Sequence, residues 1–197
     1  MFNTTFFESG YDFVSDQLNI NIGTGGAALT GVWISVRNYE RAYCLILNPA
    51  GSAGDDIVIT PLQATSAAGG GSKALTFSRM WVKAGATAVL TNTIGTWVQY
   101  DLTTPSSALN FNSVVGNITS ANGSAPVAIA TTDLGLETIE NIVLVEFRAD
   151  SLDITNGFCF LSMTIPAVGS AATKTINSHW IMAHAEYPQA LPLSVLA

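Results

Sequence analysis

The stretch Trp33–Leu47, WISVRNYERAYCLIL, decides the fold class. Val32, Ile34 and Val36 alternate with Trp33, Ser35 and Arg37, and a period of two belongs to a β-strand. The alternation resumes after Asn38-Tyr39-Glu40. Ala42, Cys44 and Ile46 then fall on one face, and Tyr43, Leu45 and Leu47 on the other. The short interval predicts a hairpin turn. Both faces of the second strand are apolar, which predicts a central strand covered on both sides.

The same period recurs outward from this stretch. Strands are expected at 56–63, 74–83, 96–102, 142–149, 158–166 and 178–187, with weaker ones at 13–22, 112–118 and 127–131. The connectors Gly23–Gly26, Pro49–Asp55 and Ala67–Ser72 are rich in residues that make turns. Helical pattern is confined to short pieces, 133–140 and 150–154, the second followed by the turn signal Asn156-Gly157. About ten short strands at this spacing predict an all-β, two-sheet β-sandwich, jelly-roll-like, with apolar extended termini. The expected divisions are an N-terminal arm over 1–13, a sandwich domain over 14–187 and a C-terminal arm over 188–197.

Composition narrows the function. Charged residues make up 11% of the 197 residues and hydrophobic ones 48%, against about 25% charged in an average soluble domain. Charge is depleted at the centres of protein interfaces because desolvating it is costly, so a surface this poor in charge suits contact with neighbours. The net charge is −7, and the seven basic residues are scattered. Phosphate recognition needs several on one face, so no nucleic acid is expected as partner. No membrane is expected either, because no apolar run approaches ~18 residues. Met1–Phe13 lacks the basic and apolar regions of a signal peptide, which predicts synthesis in a cytoplasm. Cys44 and Cys159 sit inside apolar runs and read as reduced core thiols.

Candidate chemistry fails on spacing. His179 and His184 are five residues apart on one strand and face opposite ways, so they cannot share a metal through it. Asp150, Asp153 and Asn156 lack the alternating ligands and closing Glu of a calcium loop, and read instead as turn caps. Gly69-Gly70-Gly71-Ser72-Lys73 precedes a strand where a phosphate loop needs a helix, and reads as a flexible loop. No catalytic, cofactor-binding or metal-binding residue is assigned, and no enzyme activity is expected. Trp33, Trp81, Trp97 and Trp180 each lie in an expected strand and read as core or interface, with a sugar platform as the alternative.

The two ends carry the candidate interface. Phe2, Phe6 and Phe7 lie in the first arm; Pro188, Leu191, Pro192, Leu193, Val195 and Leu196 lie in the last. The prolines disfavour a helix and bias the chain to an extended path.

Four segments carry a resemblance. They are WISVRNYERAYCLIL, QATSAAGGGSKALTFSRMWV (Gln63–Val82), VEFRADSLDITNGFCFLSMTI (Val145–Ile165) and HWIMAHAEYPQALPLSVLA (His179–Ala197). Together they resemble a family of small head-associated structural proteins of tailed bacteriophages, the capsid decoration or cement proteins. The resemblance spans roughly 31–83 and 141–197, and departs at Cys159-Phe160, where a more polar stretch is expected. It implies a virion protein on the outer capsid surface, with the major capsid protein and its own copies, as dimer or trimer, for partners. It implies no catalytic residues and no cofactor. The alternatives are a fibre-type module recognising host glycans and a tail or connector structural protein.

Overall fold

The computed structural model describes residues 11–23, 26–52, 57–84, 97–106, 109–110, 114–120, 127–132, 139–168 and 174–185. The chain is all-β, with no α-helix among the described residues. Its strands are β1 (Asp12–Asn21), β2 (Leu29–Thr30), β3 (Ile34–Ser35), β4 (Tyr39–Asn48), β5 (Val58–Ala64), β6 (Lys73–Ala74) and β7 (Phe77–Ala84). They continue with β8 (Trp97–Ser106), β9 (Leu109–Asn110), β10 (Val114–Ser120), β11 (Val127–Thr132), β12 (Asn141–Arg148), β13 (Phe160–Ile165) and β14 (Thr175–Ala185).

Two antiparallel sheets form. The large one has eight strands in the order β1-β14-β4-β12-β7-β8-β10-β11. The small one runs β2-β13-β5-β6, with β3 added on β13 and β9 on β5. β4 is central, as its doubly apolar pattern predicts, and pairs in unbroken register with β12 from Arg41↔Arg148 to Asn48↔Asn141.

Alternation places one side of each strand between the sheets. From the large sheet come Ala42, Cys44 and Ile46 of β4, Val143, Val145 and Phe147 of β12, and Ile176, Trp180 and Met182 of β14, all buried. From the small sheet come Leu161, Met163 and Ile165 of β13 and Ile59 of β5. The sheets meet where the Cys44 thiol lies 3.1 Å from the Met163 sulfur. Phe147 contacts both Phe77 and Trp180, with ring centroids 6.0 and 5.7 Å apart. Both cysteines are free and buried, in keeping with the reading of reduced core thiols. Burial holds the Cys44 thiol well above its ordinary pKa, because a thiolate there would be desolvated.

One polar bridge crosses this core. Asp16 of β1 accepts hydrogen bonds from the Val32 N–H (2.7 Å) and the Ser178 hydroxyl (2.9 Å). Gly31, beside it, donates its N–H to the Met163 carbonyl and accepts from the Ser162 hydroxyl. The carboxylate therefore ties the large sheet to the segment feeding the small one. Burial raises the Asp16 pKa, and the two donated hydrogen bonds only partly offset it.

Three local expectations are corrected. The expected hairpin at 38–40 is a crossover. β3 pairs with β13 in the small sheet, whereas β4 joins the large one. The chain turns between them through Tyr39 N–H to the Val36 carbonyl, while Val36 N–H is taken by Cys159. The single strand expected at 74–83 is two, β6 and β7, in different sheets. The glycine loop, read as flexible, is a hydrogen-bonded turn. Gly70 accepts at its carbonyl from both the Thr65 N–H and hydroxyl, and Gly69 and Gly70 donate to Ser66. Gly69 (φ 78°) and Gly71 (φ 63°) take left-handed conformations that side chains disfavour. Of the helical candidates, 150–154 gives two single turns of 3-10 helix at 149–151 and 154–156, closed by Gly157 at φ 82°. Residues 133–138 of the other lie outside the described residues, and Ile139-Glu140 is not helical.

Candidate interaction surface

A strand with two apolar faces delivers one to the core and must present the other outward. The outer face of the large sheet is therefore unusual in composition. One row runs straight across six strands: Ser15, His179, Leu45, Leu144, Trp81 and Gln99. At ~4.8 Å between strands this row is ~24 Å wide. The row on one side places Phe13, Ile181 and Tyr43 in register, and the row on the other places Leu47 beside Ile142 and Lys83 beside Trp97.

Apart from the exposed Phe13 and Ser15, these side chains are half-buried. Phe13 stacks on the His179 ring at 5.0 Å and is itself 43% exposed. Tyr43 approaches Trp81 at 6.1 Å. The indole of Trp81 donates to Gln99 at 3.1 Å, so its one polar atom is engaged within the sheet. The result is an apolar band whose polar atoms are partly satisfied internally.

The arginines of this face gather at one rim, while Lys83 stands in the row on the opposite side. Three of the four arginines, Arg41, Arg79 and Arg148, line a single surface pocket with Glu146. Arg41 pairs with the buried Glu146 at 2.6 Å, and Arg79 reaches its other oxygen at 3.7 Å. Arg79 also pairs with Asp101 at 2.7 Å, and Arg148 grips Asp150 with two hydrogen bonds. The Arg148 hydrogen bonds lower the Asp150 pKa. Each arginine thus has a carboxylate of its own chain, and the pocket offers no unbalanced charge to an anion.

The other carboxylates of the sequence reading are likewise engaged. Asp153 accepts from Lys73 and Asn156, which lower its pKa in that order, and its carbonyl accepts the Asn156 and Phe158 N–H groups. Asp153 stands at the cap position of the 154–156 turn, but its carboxylate makes no side-chain cap bond there and is held by Lys73 and the Asn156 amide, which corrects the reading of these acids as turn caps. Among the described residues no group of three or more His, Cys, Asp or Glu side chains is placed to hold a metal ion. Asp55 and Asp56 lie outside the described residues.

The edge of the sheet is less suited to association than its face. β1 is an edge strand, but its pairing with β14 is broken by register shifts between Ser15 and Gln17 and between Gln17 and Ile20. Asn19, within the second shift, has φ 55° and donates its N–H to the Asn177 side-chain oxygen. Such bulges twist an edge away from strand addition.

The predicted interface residues Phe2, Phe6, Phe7, Pro188, Leu191, Pro192, Leu193, Val195 and Leu196 lie outside the described residues. The described strands next to these segments are neighbours. Asp12 pairs with Met182 across adjacent strands, so the chain enters β1 and leaves β14 at one corner of the large sheet. Of the tryptophans, Trp180 is fully buried, and Trp33 packs with Ala64, Cys159 and Phe160 on the far side of the small sheet. Trp81 and Trp97 belong to the outer face. Sequence reading missed this band and the ionic rim. The doubly apolar pattern of Tyr43–Leu47 was the available signal for the band.

No helix among the described residues is long and apolar enough to cross a membrane. No protein-family model matches the chain, and no curated protein matches it in sequence.

Proposed function

We propose that this chain is a non-catalytic structural protein of a bacteriophage virion, a decoration or cement protein on the outside of the capsid. The observation that carries the reading is the outer face of the large sheet, a largely apolar band whose arginines are paired off at one rim. A broad face of this kind suits permanent contact better than display to water. The resemblance of the segments around β4, β12–β13 and β14 supplies the capsid context. The frequent passage between sheets, as at β3–β4, β6–β7 and β12–β13, supports reading the sandwich as jelly-roll-like.

A cement protein acts by mass action. It binds the closed lattice and not the free capsid subunit, so occupancy stabilises the shell. Repetition over many sites lets modest affinity suffice. The partners in this reading are the major capsid protein and further copies of the chain, with the arms 1–13 and 188–197 making part of the attachment.

The test is decoration of purified shells by the full chain and by a chain lacking 188–197. The truncated chain is expected to keep its β circular-dichroism spectrum and lose most shell binding. Equal decoration by both would discard the arm, and no decoration by the full chain would discard the capsid role. Trp81 and Trp97 on the outer face favour a second reading, a glycan-binding fibre module. A glycan array with a tryptophan-fluorescence titration separates the two, since a cement protein gives no response.

A further inference from the structure

We propose that the pocket between the β3–β4 crossover and the segment 149–159 binds a small carboxylic acid with an apolar body, its carboxylate held by Arg37. The site stands independently of what the chain decorates.

Three observations lead there. First, the walls are apolar and the space is of ligand size. The buried Val36 and Cys159 line the pocket together with Ala149, Ile154 and Phe158. Ile154 is 59% exposed, a large apolar side chain left uncovered at this place. The volume is about 290 Å³, where a cavity of about 150 Å³ takes a benzene ring. A ring with a short chain attached is of the right size.

Second, the pocket holds a cation with no counter-ion. Arg41, Arg79 and Arg148 each meet a carboxylate, and so does Lys73 at Asp153. Arg37, which lines this pocket, makes no ion pair among the described residues. Third, its guanidinium is already positioned. Nε donates to the Cys159 sulfur at 3.1 Å, and Cζ stands 6.0 Å from the centre of the Phe160 ring. Nη1 and Nη2 are left to take a carboxylate through two parallel hydrogen bonds. A guanidinium held in advance loses less freedom on binding.

The charge selects an anion and the walls select an apolar body. One arginine balances the single charge of a carboxylate. A phosphate monoester carries nearly two charges, and the excess would be repelled by a chain of net charge −7.

The test titrates the full chain with hydrocinnamate and with its uncharged amide, followed by ligand-observed NMR. The acid is expected to bind, and the amide to bind about tenfold or more weakly. This comparison is made on the wild-type chain, so it does not depend on any variant folding. Arg37→Gln is expected to weaken the acid by a similar factor and leave the amide unchanged. Ala149→Leu, which adds bulk to the wall, is expected to weaken both. Arg79→Gln, at an arginine outside the pocket, is expected to weaken neither. No binding of the acid at millimolar concentration would overturn the proposal. Equal binding of acid and amide, or binding of the acid that survives Arg37→Gln, would overturn it as well.

Discussion

The outer faces of the two sheets pose the same problem and receive different answers. Each is apolar. On the small sheet, Phe160, Ala64 and Cys159 are covered by Trp33 and Ala67, and the glycine turn lies against the Trp33 indole. Arg37 closes the group by donating to the Cys159 sulfur at 3.1 Å. The chain thus buries this face with its own loop. On the large sheet, Leu45, Leu144 and Trp81 have no comparable lid among the described residues. A face that the fold covers is a stability device, and one that it leaves half-open is where association is expected.

Mutations sharpen that contrast, beginning with the shared core. Phe147→Ala removes an aromatic side chain wedged between Phe77 and Trp180, and is expected to cost about 4 kcal/mol of unfolding free energy in urea denaturation. Asp16→Ala would leave the Val32 N–H and the Ser178 hydroxyl without their acceptor, at about 2–3 kcal/mol by the same measurement. On the covered face, Gly69→Ala puts a Cβ within 2.6 Å of the Trp33 indole at φ 78°. The expected cost is about 2 kcal/mol, with a shift in tryptophan emission. On the open face, Leu45→Thr is expected to change monomer stability by about 1 kcal/mol or less. A loss as large as that of Phe147→Ala would show that the band is covered within one chain, and the contrast would fail.

Asp16 also gives a pH signature. Its pKa in the fold is raised above the ordinary 3.8, so the folded chain holds this proton more tightly than the unfolded one. The buried charge therefore opposes folding at neutral pH, and this opposition fades as pH falls through the raised pKa toward 3.8. Against Asp16→Asn, which cannot ionise, the wild type is expected to gain relative stability between pH 7 and pH 4. Urea midpoints at several pH values measure it, and a constant difference would contradict the assignment.

Much of the fold is legible in the sequence, because alternation is local. Each longer strand coincides with a run of period two, and β4 announces its central place by its two apolar faces. Sheet membership is not legible in the same way. Val32–Arg37 and Arg41–Leu47 alternate alike, yet pairing with β13 or with β12 and β14 sends them to different sheets. The turn at 65–71 was hidden because a run of glycines reads as freedom until Trp33, more than thirty positions earlier, is seen to lie against it. The ionic rim was hidden for a similar reason, since Arg41 and Glu146 are 105 positions apart. The band was legible in its residues, although its pattern was read as cover on both sides.

The paired arginines at the rim have a consequence for conditions. With Arg41, Arg79 and Arg148 each neutralised inside the chain, little fixed charge is left there to steer or hold a partner across solvent. Raising the ionic strength then has little attraction to screen at this rim. Contact through the neighbouring apolar band responds to temperature instead, because the hydrophobic driving force weakens on cooling. On the proposed role, its contacts should tolerate brine and loosen in the cold.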